Sequence, residues 1–146
     1  MHHPPARPHS RAAGPVLAAL MAAATVPAMA SDGPPEGRIT GLWATEPRES
    51  GAYITVRIRP CRSSPATRCG VVAGAHGGAR PDIVGEPILT GLEHRGEGHW
   101  GGGEIIRPGT DERYRSEIRR VAEGLEVKGC ALVGLVCRTQ IWRPAR

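Results

Sequence analysis

The sequence predicts a small all-β domain, an antiparallel barrel of about seven to eight short strands, following a cleaved leader. Two observations carry the β reading. Short apolar stretches alternate with a period of two and are separated by Gly, Pro, Asp or Ser. Nineteen of the 20 Gly follow residue 30, and because Gly costs about 1 kcal/mol within a helix, turns and bulges are expected in place of long helices. A third observation sets the leader apart. Residues 1–30 contain Arg7 and Arg11 but no acid, which leaves 17 basic against 14 acidic residues in the remaining 116.

In chain order, the acid-free stretch 1–14 is followed by the apolar run from Pro15 to Val26 and by Ala28-Met29-Ala30, a small-x-small cleavage sequence. That order is a secretory signal peptide over residues 1–30, cut after Ala30. The apolar run is about twelve residues, shorter than the roughly 20 needed to span a membrane. No Cys at the cut suggests a lipid anchor, and no Arg pair suggests twin-Arg export. A periplasmic or secreted, soluble protein is expected, with no membrane span and little access to nucleic acid. Residues 31–37, with Gly33, Pro34, Pro35 and Gly37, are read as a flexible approach to a single domain over 38–146.

Within that domain the clearest strand is Ala52 to Arg59. Ala52, Ile54, Val56 and Ile58 lie on one face, Tyr53, Thr55, Arg57 and Arg59 on the other, and Pro60 ends it. Further strands are expected at Cys69 to Ala73, Ile88 to Leu92, Gly103 to Ile106, Arg113 to Val121, Leu125 to Lys128 and Val136 to Trp142. Asp111 to Glu123 competes as a helix, because Tyr114, Ile118 and Val121 fall at i, i+4 and i+7, but strand is preferred. Three Trp, two Tyr and no Phe require a core built largely on Ile, Val and Leu.

All four cysteines, Cys61, Cys69, Cys130 and Cys137, follow the cut, and an even count in an exported chain predicts two disulfides. Three pairings are possible. Cys61 with Cys69 and Cys130 with Cys137 are favoured, since each would clamp a short loop. Neither spacing is the C-x-x-C of a zinc clamp.

Chemistry-bearing motifs are few. His76-Gly77-Gly78 has the form of an oxyanion loop, but the chain contains no G-x-S-x-G nucleophile elbow. Trp100-Gly101-Gly102-Gly103 lacks the Lys of a phosphate loop and is read as a bulged strand. His94 and His99 could meet only across a turn at Gly96 and Gly98, so solvent-facing histidines are preferred to a metal site. Glu97 and His99 share a face at i, i+2 and could form an acid/base pair, although such pairs are common on surfaces. Arg113, Arg115, Glu117 and Arg119 form a charged strand face to which Arg120 adds a cation, read as a solvated surface. No catalytic residue, cofactor or metal is assigned, and an enzyme is not expected.

Gly41-Leu42-Trp43 opens the domain and Trp142-Arg143 closes it. In a closed barrel the first and last strands pair, so a latch of Arg143 over Trp43 is expected. A G-x-W near the start and an Arg near the end resemble lipocalin-like barrels.

A broader resemblance rests on Gly41-Leu42-Trp43; Cys61 with Cys69-Gly70; Ile88-Leu89-Thr90-Gly91-Leu92; Trp100-Gly101-Gly102-Gly103-Glu104-Ile105 with Pro108 and Tyr114; Leu125-Glu126-Val127-Lys128-Gly129-Cys130; and Cys137-Arg138-Thr139-Gln140-Ile141-Trp142. In order and spacing these segments resemble the bacterial domain-of-unknown-function family 2147, small exported proteins with no assigned activity. The chain departs from the family pattern at Ile106, where a Tyr is usual, at Asp111 in place of a hairpin Gly, at Pro144 after Arg143, and between His76 and Asp82, which lacks an Asn-Pro-Asp loop. The expected role is binding a hydrophobic or amphipathic small molecule in the cell envelope, with Trp100 and Tyr114 lining the cavity. The alternative is a side-chain-filled barrel acting as an envelope protein-interaction module.

Overall fold

The computed structural model describes Gly14, residues 38–131 and residues 134–146. The expected signal peptide, apart from Gly14, and the approach segment 31–37 lie outside the described residues. The strands are β1 (Gly41–Ala44), β2 (Tyr53–Pro60), β3 (Arg68–His76), β4 (Pro87–Gly96), β5 (His99–Ile106), β6 (Arg113–Val121), β7 (Gly124–Ala131) and β8 (Val136–Pro144), and they form a closed antiparallel barrel in sequence order. A 3₁₀ turn, Pro81–Ile83, lies between β3 and β4. Within Asp111 to Glu123, Arg113–Val121 is strand and not helix.

Strand parity sorts the side chains. On β2, Ile54, Val56 and Ile58 point inward and are at most 9% exposed, while Arg57 and Arg59 face solvent. β6 alternates in the same sense. Ser116 and Ile118 are inward at 0% exposure, whereas Arg113, Arg115, Glu117 and Arg119 are exposed on the outer face. The charged face read from the sequence is thus the solvated outside of the barrel, but Arg120 is not part of it, because one residue beyond Arg119 the strand points inward.

The two ends of the barrel differ. At the end where β1 starts and β8 finishes, Ile39, Trp43, Leu92, Trp100, Leu125 and Trp142 pack together at 5% exposure or less. The Trp43 indole N–H donates to the Ile39 carbonyl at 2.8 Å, drawing the entering chain across this end. At the other end the β3–β4 connection folds back on β3, with Gly85 N–H donating to Val72 and Val72 N–H to Glu86. It places Ile83, 7% exposed, in the core. The β5–β6 turn joins it through a bond from Gly109 N–H to the Glu86 carboxylate at 2.7 Å.

Glycines make the sheet curve. Gly103 lies so close to the β4 backbone that a Cβ would stand 2.2 Å from the Thr90 carbonyl oxygen. The register shifts between Trp100 and Gly103, so Trp100-Gly101-Gly102-Gly103 is the bulged strand the sequence suggested, with Gly102 at φ 76°.

The disulfides are Cys61–Cys69, spanning the β2–β3 turn, and Cys130–Cys137, spanning the β7–β8 turn. These are the two local pairings favoured from sequence, and disulfides of this kind are characteristic of oxidising compartments outside the cytoplasm. Among the described residues no helix is long and apolar enough to cross a membrane.

Candidate functional site

The closed end is held by a stacked cation. The Arg120 guanidinium lies 4.9 Å from the centroid of the Trp43 ring and donates to the Arg38 carbonyl at 3.4 Å. The expected latch partner, Arg143, is instead exposed and sits beside Ala44 in the β1–β8 ladder. Parity is the reason: its neighbour Trp142 points into the core at 1% exposure, so Arg143 must point out.

The inward face of β8 changes character along its length. Trp142 is 1% exposed and Val136 55% exposed, and Arg138 and Gln140, of the same parity, are also exposed. The barrel interior is therefore open to solvent along the first half of β8. The cause is the shortness of its neighbour. β1 has only four residues, and β8 pairs with it only at Arg143 and Pro144. From Thr45 the chain continues alongside β2, with Thr45 N–H donating to Ile54. From Val136 to Trp142, β8 pairs with β7 alone among the described residues.

Register places one inward row at this opening. Gly103 is opposite Ser116, Ser116 opposite Gly129, and Gly129 opposite Arg138. Below it, toward the closed end, run Trp100, Ile118, Val127 and Gln140. Above it lie the pairs Ile105–Tyr114 and Ala131–Val136. The middle row holds two glycines, a serine and an arginine between two rows of larger side chains. Ser116 is 0% exposed, and its hydroxyl has no hydrogen-bond partner among the described residues. A buried, unpaired hydroxyl costs about 1–3 kcal/mol, so its place in the same row as an inward-pointing cation two strands away calls for a role.

Trp100 and Tyr114 do not come together. Their β6 positions, Ile118 opposite Trp100 and Tyr114 itself, are four residues apart, about 13 Å along a strand. Trp100 is 5% exposed at the closed end, under the Arg68 guanidinium at 4.8 Å and against the His94 ring at 4.8 Å. Tyr114 stands at the open end. Its hydroxyl donates to Glu112 at 3.0 Å and accepts from Arg107 at 2.9 Å.

The histidines are dispersed. His76 stacks on Tyr53 at 4.8 Å, and His99 Nε2 lies 3.9 Å from a Glu117 carboxylate oxygen across the sheet. The partner of His99 is thus Glu117 and not Glu97, which occupies the β4–β5 turn at φ 45°. The perturbed acid is elsewhere. Hydrogen bonding to Arg80 holds the exposed Asp82 carboxyl below the usual carboxylate range, and the same pair raises Arg80. That pair braces the connection carrying Ile83 and has no counterpart at the opening.

A shallow cleft of about 220 Å³ lies on the outer face, lined by Arg115, Glu117, Lys128, Cys130, Gly134 and Cys137. It is smaller than the roughly 300 Å³ at which small-molecule pockets begin. The inward row on β5–β8 was not singled out from the sequence. Its signal, small or polar residues at core-parity positions of otherwise apolar strands, becomes visible only once the register is known.

A closed eight-stranded meander, sealed at one end by a Trp–Arg stack and open at the other, is a lipocalin-like barrel. A solved structure with the same architecture is HP1028 from the human pathogen Helicobacter pylori, described as belonging to the lipocalin family. It matches with a TM-score of 0.60 and 14% identity, over 75% of this chain and 84% of that one. The chain itself belongs to the family described as uncharacterized protein conserved in bacteria (DUF2147), which it matches over residues 41–143. No curated protein matches it in sequence.

Proposed function

We propose that this protein is an exported binding protein that takes an amphipathic small molecule with an acidic headgroup into the open half of its barrel. The observation that carries the reading is the inward row ending in Arg138, with the unpartnered Ser116 hydroxyl two strands away. A guanidinium facing into a partly apolar interior selects an anion, and a hydroxyl able to donate and accept completes the headgroup contacts. Ile105, Tyr114 and Val136 offer the apolar surface for the remainder of the ligand. The activity proposed is binding, not catalysis, with the leader at residues 1–30 directing export and the disulfides forming after it.

Native mass spectrometry on protein exported with its own leader tests this reading. An adduct that disappears on denaturation, and is lost in Arg138→Gln, is expected. A consistently bare ion that also fails to take up a long-chain fatty acid would overturn it. A second reading has its own observation: β8 from Val136 to Trp142 pairs on one side only, and such an edge can accept a strand from a partner protein. An unliganded protein that captures an extended peptide would favour that reading.

A further inference from the structure

Beyond ligand binding, the β7–β8 turn has the composition of a membrane contact. Leu135 is 85% exposed and Val136 55% exposed, two of the three large hydrophobic residues most open to solvent among those described. Both follow Gly134, at φ 88°, within the turn closed by Cys130–Cys137. The crosslink fixes the base of the turn, so presenting its apolar tip needs less ordering on binding.

Cations surround that tip on both faces of the sheet. Arg115 is directly across from Cys130, and Lys128 is two residues before it; both line the outer cleft with the two cysteines and Gly134. Arg138 follows Cys137 on the inner face. None of the three forms an ion pair with a carboxylate among the described residues, although Glu117 shares the cleft. By contrast, Arg107 and Arg113 at the same end are paired with Glu112 and Glu104 at 2.6 and 3.1 Å. Arg138 lies three residues from Leu135, about 10 Å along the strand. An apolar element buried about 5–10 Å at a bilayer interface would bring cations at that height level with the headgroups.

We propose that this protein docks on an anionic lipid bilayer through Leu135 and Val136, with Arg115, Lys128 and Arg138 meeting the lipid headgroups. The charge arrangement commits the surface to a bilayer: an apolar tip ringed by unpaired cations matches an anionic headgroup layer over hydrocarbon. The docking end is also the open end of the barrel. Val136 and Arg138 also belong to the proposed ligand site, whereas Leu135, Arg115 and Lys128 do not, so Leu135→Ser separates docking from ligand binding.

Co-sedimentation with vesicles tests the proposal, comparing phosphatidylcholine alone with an equal mixture of phosphatidylcholine and phosphatidylglycerol. The purified protein should sediment with the mixed vesicles, and added salt should weaken binding. Each cation near an anionic surface strengthens binding about fivefold, so a triple variant Arg115→Gln, Lys128→Gln, Arg138→Gln should lose roughly a hundredfold. Leu135→Ser should lose about tenfold, as expected for one buried aliphatic side chain, while Leu135→Phe retains binding. Because Leu135 is exposed, these variants should keep the parent's near-ultraviolet dichroism, which separates lost docking from lost folding. Equal binding to both vesicle types, no sedimentation with either, or an unaffected Leu135→Ser would overturn the proposal. Release by a competing protein partner and not by salt would overturn it equally.

Discussion

Replacing Arg120 with Met should destabilise the barrel, whereas the same change at Arg143 should not. Met keeps much of the aliphatic stem and removes only the cation. A half-buried cation stacked on Trp contributes about 1 kcal/mol, and Arg120 lies 4.9 Å from the Trp43 ring. Its bond to the Arg38 carbonyl is long at 3.4 Å, so it adds nearer 0.5 kcal/mol than the full value of a charged hydrogen bond. The sum is about 1.5 kcal/mol. With a urea m-value of roughly 1.5 kcal/mol/M for a domain of this size, the unfolding midpoint should fall by about 1 M with m unchanged. Arg143, on the outer face, should change stability by less than about 0.5 kcal/mol. A double-mutant cycle with Trp43→Phe isolates the contact, with a coupling of at least about 0.5 kcal/mol expected. A loss at Arg143→Met equal to that at Arg120→Met, or coupling indistinguishable from zero, would refute the assignment of Arg120 to the latch.

Ser116→Ala removes the buried hydroxyl without a partner and should raise stability by up to about 1 kcal/mol in urea titration, while weakening any ligand adduct. Gly103→Ala would set a Cβ 2.2 Å from the Thr90 carbonyl and should cost at least about 2 kcal/mol, measured the same way, because backbone must move. Under graded reductant, mass spectrometry after alkylation should find Cys130–Cys137 opened first, since Cys137 is exposed whereas Cys61 is 5% exposed. Asp82, held low by its hydrogen bond to Arg80, should titrate below the ordinary carboxylate range by carboxyl NMR. Because the folded pKa is depressed, its contribution is present above the unfolded pKa and lost as pH falls through the folded one; in Arg80→Gln the titration should return toward the ordinary range.

The strands were legible because alternation needs no partner to be recognised. Ile54, Val56 and Ile58 announce their face within eight residues, and the local cysteine spacings announce the two clamps. The latch illustrates the limit. Both ends of the chain offered the right residue types, Trp43 and an Arg beside Trp142, but which Arg reaches the ring depends on parity within β8 and on the register of β6 against β7. Those are long-range quantities. Arg120 read as one more cation on an exposed ribbon because two adjacent arginines carry no mark of which points inward. Trp100 misled for a related reason: a large aromatic beside three glycines looks like a cavity wall, yet Gly103 admits the β4 backbone and the indole is core.

The same argument locates the candidate site. An up-and-down barrel hides its interior only where every strand has two neighbours, and β1 is too short to cover β8 beyond Arg143. A Thr45-Glu46-Pro47 segment that continued the β1–β8 ladder would stand opposite Trp142, Ile141 and Gln140, burying Gln140 and closing the interior beside Arg138. An interior arginine without a carboxylate would then be intolerable, since several kcal/mol attend an unpaired buried charge. Arg138 and the short first strand are thus mutually consistent: the opening permits the cation.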